Sequence, residues 1–166
     1  MWKGVSPAGT IEAHEIPAKP LDPYSYYNGD FIALEKAHLN KGWKLVDNWH
    51  PDNKAGKRNG FVDVPMLEAT RPGDRLTLDF RGKAIGIFCV SGPSAGILEY
   101  SVDGAPFKEL DNFPEWSHNL YIPWVYMLET ELKDTDHKLV LRISKKKNPA
   151  SQGTECQIRN FVVNGR

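Results

Sequence analysis

Residues 83–113 constrain the fold most. They run Lys-Ala-Ile-Gly-Ile-Phe-Cys-Val, then Ser-Gly-Pro-Ser-Ala-Gly, then Ile-Leu-Glu-Tyr-Ser-Val-Asp-Gly, and close on Ala-Pro-Phe-Lys-Glu-Leu-Asp-Asn-Phe. Two apolar runs rich in strand formers flank a short turn segment, and the second run ends on Asp103-Gly104. An Asp-Gly pair after such a run marks a tight hairpin, because both central residues of the favoured turn need a positive φ. The reading is strand, loop, strand, tight turn, strand. No neighbouring stretch has the length and 3.6-residue period of a crossover helix, so the chain points to an antiparallel β domain and away from a helical or nucleotide-binding one.

Further strands are predicted over 31–34, 41–46, 61–69, 74–81, 83–90, 96–102, 105–110, 120–129, 137–143 and 156–164, with turn chemistry between them. Several alternate cleanly. Leu76, Leu78 and Phe80 share one face; Leu98, Tyr100 and Val102 share another; Leu139, Leu141 and Ile143 a third. Each set is expected to face a core, which gives an all-β antiparallel sandwich of jelly-roll type. Residues 1–29 carry Pro7, Pro17, Pro20 and Pro23, which exclude a continuous helix or central strand and predict an extended arm before a sandwich domain over 30–166.

At 166 residues the chain fits one domain, large enough to bury about two-thirds of its unfolded surface without a disulfide framework. Lys plus Arg equals Asp plus Glu at 21 each. With a formal net charge of zero, nothing argues for nucleic acid or an anionic membrane surface as partner. No apolar run reaches the roughly 20 residues a membrane helix needs, and Met1-Trp2-Lys3-Gly4 leads into polar residues and prolines rather than a signal-peptide core. Cys89 and Cys156 fall inside predicted strands and read as buried small hydrophobes.

Catalytic motifs are weak. Asp134-Thr135-Asp136-His137 could supply the acid and base of a serine-hydrolase triad, but no Gly-Asp-Ser-Leu or Gly-x-Ser-x-Gly block offers a nucleophile, and His137 reads as the start of a strand. Ser91 to Gly96 lacks the Gly-Lys-Ser/Thr ending and following helix of a phosphate loop and reads as a sandwich turn. The histidines are scattered and no Cys-x-x-Cys or His-Glu-x-x-His occurs, so no transition-metal site and no cofactor is expected. Loop carboxylates and carbonyls leave room for a structural calcium. Lys145-Lys146-Lys147 reads as a solvated strand end.

Aromatic residues carry the functional expectation. A flat exposed ring pairs well with the apolar face of a sugar. Trp116 lies in the polar segment 114–119 and Trp49 in the loop Asn48-Trp49-His50, so these two are predicted as stacking platforms, with His118 and Tyr121 as polar partners. In 120–126, Leu120, Ile122 and Trp124 share parity and are expected to face the core, with Tyr121 on the opposite face.

The chain also resembles a known family. The run from Gly82 to Gly104, Asp111-Asn112-Phe113, Trp116-Ser117, Leu120 to Trp124, His137-Lys138-Leu139, Arg142-Ile143, Asn148 to Gly153 and Ile158 to Asn164 together resemble the C-terminal β-sandwich module of SGNH/GDSL-type esterases of Bacteroidetes and Planctomycetes. Gly60 to Leu67 fits the same pattern, and Pro20 to Tyr26 resembles the segment that joins esterase to module. The resemblance implies a non-catalytic, jelly-roll-like accessory domain of a periplasmic or secreted polysaccharide-degrading esterase. It transfers no catalytic residue, because the family's nucleophile and triad lie in the esterase domain. Three functions are expected from these readings: a carbohydrate-binding module for a polysaccharide or oligosaccharide; a structural domain packed on its esterase or at a dimer interface; and, least favoured, a stand-alone hydrolase.

Overall fold

The computed structural model describes residue 13, residues 15–25 and residues 28–164. Of the arm expected over 1–29, residues 1–12, 14, 26 and 27 lie outside the described residues. Among those described, Asp22 caps a turn by accepting the amide of Tyr24 at 2.9 Å, and Lys83 donates to the Pro23 carbonyl at 2.7 Å, which ties the approach of the chain to the first sheet.

Period-two alternation shapes most of the chain from Gly29 onward, and the described residues form strands β1 (Gly29–Ile32), β2 (His38–Lys41), β3 (Lys44–Trp49), β4 (Val64–Ala69), β5 (Arg75–Gly82), β6 (Ala84–Ser91), β7 (Ile97–Val102), β8 (Lys108–Asp111), β9 (Ile122–Glu129), β10 (Thr135–Ile143) and β11 (Cys156–Asn164). Two single 3-10 turns, Leu34–Lys36 and Glu115–His118, interrupt them. The strands make two antiparallel sheets packed as a sandwich. One runs β3-β4-β11-β6-β9, with β1 also on β11; the other runs β2-β5-β10-β7-β8. β4 pairs with the first residues of β11 and β1 with the last, where Phe31 sits opposite Val162.

The three alternating sets named from the sequence do face the core. Leu76, Leu78, Leu139 and Leu141 are inaccessible to solvent, and with Ile85, Ile87, Ile158 and Phe161 they fill the space between the sheets. Each such side chain contributes about 1.5–3 kcal/mol by burial, which is why the sandwich needs no bridge: Cys89 and Cys156 are free thiols, fully buried. Burial pushes the Cys89 thiol up to about 12 and Cys156 well above its ordinary value. Asn112 lies between them, accepting from Cys89 Sγ at 3.2 Å and reaching Cys156 Sγ at 3.8 Å.

The Asp103-Gly104 hairpin forms as read, with φ of 53° and 76° and the Ala105 amide donating to the Val102 carbonyl at 3.0 Å. β8 starts at Lys108 rather than Ala105, since Pro106 has no amide to give the ladder. The strand predicted over 41–46 is displaced. The chain turns at Gly42, whose φ is 74°, and crosses from the second sheet to the first, so 38–41 forms β2 and β3 runs on to Trp49. A second apolar cluster, Trp49, Met66, Val90 and Tyr121, packs on the outer side of the first sheet beneath residues 55–64.

Candidate functional site

The site is built at the corner between β8 and β9. Asn112 and Phe113 turn inward after β8 and are buried. Pro114 then opens the 3-10 turn with its carbonyl accepting the Ser117 amide at 2.9 Å, and Ser117 Oγ donates to the Ser91 carbonyl at 3.1 Å, fixing the turn to the end of β6. With 112, 113 and 117 committed to the interior, Trp116 projects into solvent and is 55% exposed. Its ring stacks on Trp124 of β9, with centroids 6.1 Å apart and planes 25° apart. Trp124 is 39% exposed and leans in turn on Tyr126, centroids 6.4 Å apart at 41°. Tyr126 is half-buried, and burial first, with charge nearby, pushes its hydroxyl up to about 12. The three rings step from solvent to the core edge.

This differs from the sequence expectation at Trp49, Tyr121 and Trp124. Trp49 is not a loop platform. It is the last residue of β3, 4% exposed, with its indole Nε1 donating to Glu68 Oε1 at 3.1 Å and its ring edge-on to Tyr121 at 5.4 Å. Of the polar neighbours that suggested a loop, Asn48 is an exposed residue of β3 itself and His50 opens the segment after the strand, which folds back over the ring. Tyr121 does face away from the main core, as its parity required, but that face carries the second apolar cluster, so Tyr121 is 4% exposed and its hydroxyl accepts from Asn53 Nδ2 at 2.7 Å. Trp124 has the predicted inward parity, opposite Cys89 in the ladder, yet is exposed. β9 is the outermost strand of its sheet, and nothing in period-two alternation says where a sheet ends. Trp116 and His118 lie on the exposed turn as expected, with His118 edge-on to the buried Phe113 at 5.1 Å.

The weak catalytic motif takes another form. His137 Nδ1 faces Asp103 Oδ2 at 2.6 Å and Nε2 faces the Lys133 carbonyl at 2.8 Å, while Asp134 sits 3.9 Å from Arg81. Burial alone would lower the His137 pKa; the Lys133 carbonyl and Asp103 carboxylate outweigh it and raise the value. Asp103 is lowered by the bond from His137 and by the Lys138 amide. The pair clamps the β7–β8 hairpin onto β10. In Ser91 to Gly96 the amides of Ala95 and Gly96 are taken by the carbonyls of Gly92 and Glu155 at 3.0 and 2.8 Å, so that turn cradles no anion through them. Among the described residues no group of three or more His, Cys, Asp and Glu side chains converges, and no helix is long and apolar enough to cross a membrane.

A second surface stands apart on the outer side of the first sheet. Phe31, Val125, Met127 and Val162 line an apolar groove of about 680 Å³, and Phe31, 60% exposed, stacks on Phe88 at 6.3 Å. The second apolar cluster covers only the neighbouring part of this face.

No protein-family model matches the chain, and comparison with curated proteins finds no match. Solved structures do share the fold. A two-domain esterase active on acetylated mannans, co-crystallised with mannopentaose, superposes with a TM-score of 0.67 at 17% identity over 92% of this chain and 40% of that one. An exo-β-1,3-galactanase from Phanerochaete chrysosporium, with galactose, gives 0.54 at 10% identity over 83% of this chain and 30% of its own. A xanthan lyase from Paenibacillus gives 0.50 at 16% identity over 95% and 14%. All three are carbohydrate-active enzymes, and this chain spans less than half the length of each.

Proposed function

We propose that the chain is a non-catalytic carbohydrate-binding module that stacks a glycan on Trp116 and Trp124. The observation that carries this reading is the exposed, mutually stacked indole pair held on a buried and hydrogen-bonded turn. Ordered aromatic faces in solvent are expensive to maintain, and a sugar ring with its C–H face against them removes that apolar surface from water. The exposed half of an indole is roughly 100 Å², which at about 25 cal/mol per Å² gives ~2.5 kcal/mol, more than tenfold in affinity. The fold it shares with an esterase active on acetylated mannans supports this reading, as does the resemblance to the accessory module of SGNH/GDSL-type esterases; the chemistry would then be adhesion beside a catalytic domain that breaks the bond.

Affinity electrophoresis against a panel of plant and algal polysaccharides tests the reading. Retardation by at least one glycan, lost in Trp116→Ala and in Trp124→Ala, is expected. No retardation by any glycan, or retardation untouched by both substitutions, contradicts it.

The apolar groove favours a second, compatible role: docking against an esterase domain. An open apolar face beside β1, the strand into which the N-terminal arm leads, suits a covalently linked neighbour, and the two-domain esterase has room for one in the part of its chain this fold does not span. Met127→Lys would then weaken association with a cognate esterase domain and leave glycan retardation as it was; unchanged association excludes this face.

A further inference from the structure

β8 and β9 are the last strands of opposite sheets and are not ladder partners, so the sandwich is open along this side. Two contacts span the opening. At one end Trp116, from the turn after β8, lies against Trp124. At the other, Lys108 of β8 forms an ion pair with Glu129 of β9. A register shift between Ile85 and Gly86 places Glu129 there: Leu128 is left without a ladder partner, and Glu129, opposite the core residue Ile85, turns toward the facing sheet. Between the two contacts lie Leu110 and Tyr126, while Tyr100 of β7 sits opposite Lys108; all three are half-buried against the core. Tyr100 belongs to the same polar end, its hydroxyl raised first by burial and next by the Glu129 carboxylate. From Trp124 to Glu129 the strand advances by four paired steps, about 13 Å, longer than one sugar ring.

We infer that this open edge is a trough for a linear, neutral hexopyranose oligosaccharide of more than two units. The inference rests on the glycan-binding reading above and extends it from a stacking platform to an elongated site. Trp116 and Trp124 take the apolar face of one unit. The Lys108–Glu129 pair, charged donor beside charged acceptor, hydrogen-bonds hydroxyls of a unit further along, where such bonds are stronger than neutral ones. Charge around the trough selects against uronic acids. Lys108 is paired with Glu129, while Asp111 and Glu115 add negative charge beside the rings; Glu99, Glu109 and Arg142 lie on the opposite, outer face of the second sheet and do not line the trough. An anionic chain would meet carboxylates and would have to break an ion pair to gain a cation.

Isothermal titration with manno-, cello- and β-1,3-galacto-oligosaccharides of two to six units, and with oligogalacturonates of the same lengths, tests this. Affinity for a neutral series rises roughly tenfold from disaccharide to tetrasaccharide, Glu129→Gln and Lys108→Met each remove most of that gain, and Trp116→Ala weakens every length. Affinity independent of length, a length gain untouched by both charge variants, or tighter binding of oligogalacturonates overturns the elongated neutral site while leaving the platform standing. Binding of none of these sugars overturns the platform and the trough together. The two charge variants change different strands, so misfolding of one leaves the other to decide.

Discussion

Gly92→Ala is expected to destabilise the sandwich through a single ring. A Cβ at position 92 would lie 2.1 Å from Tyr121 Cε1, 2.3 Å from Cδ1 and 2.8 Å from Cζ, far inside van der Waals contact. The Tyr121 ring must therefore leave its seat. Overpacking of this kind costs about 1–3 kcal/mol. Displacing the ring also gives up the edge-on contact with Trp49, about 0.5–1.5 kcal/mol, and the bond from Asn53, about 0.5–1.5 kcal/mol, at the low end because Asn53 can turn to water. The expected loss is about 2–5 kcal/mol, read as a lower urea midpoint at unchanged slope. Tyr121→Leu should abolish most of the effect, so that the double variant is little worse than Tyr121→Leu alone. A loss below about 0.5 kcal/mol, within the scatter of an ordinary surface substitution, would refute the packing described for Tyr121 and with it the burial of the second apolar cluster.

Trp49→Ala should cost about 3–5 kcal/mol of stability, as truncation of a buried aromatic does, and leave glycan retardation of the folded protein unchanged; normal stability with lost retardation would restore Trp49 as a platform. His137 predicts a pH dependence. Its folded pKa is raised, so its contribution is complete below the unfolded value of about 6.5 and is lost as pH rises through the higher folded value. Asp103, lowered, contributes above its unfolded value of about 3.9 and loses that as pH falls through its folded one. The urea midpoint should thus decline from pH 6 upward by an amount that His137→Gln removes; a midpoint that is flat or rising over that range in the parent protein contradicts the clamp.

Most of the fold is legible in the sequence because burial on one face forces alternation, and alternation survives in Leu76-Leu78-Phe80 and Leu139-Leu141-Ile143 whatever the neighbours do. The hairpin is legible because Asp103 and Gly104 are chosen by φ, a local property. The site is less so. Parity places Trp124 of β9, and Tyr121 just before it, on the correct sides of the sheet but cannot say that β9 is an edge, which exposes Trp124, or that the outer face carries a second cluster, which buries Tyr121. Trp49 fails for a related reason: a tryptophan beside Asn48, His50 and Pro51 looks solvated until the next segment is seen to fold back over it. Trp116 is readable because it stands in the polar segment 114–119; what the local sequence does not reveal is that Asn112, Phe113 and Ser117 turn inward and leave it no other direction.

The proposed function rests on contact between sugar and the rings of Trp116 and Trp124. Its most direct test is isothermal titration of the parent protein and Trp116→Ala with whichever neutral oligosaccharide binds, after circular dichroism has established that both are folded. An affinity loss of at least about tenfold is expected in the variant, from the ~2.5 kcal/mol of ring surface withdrawn. Equal affinities in the two proteins would contradict it.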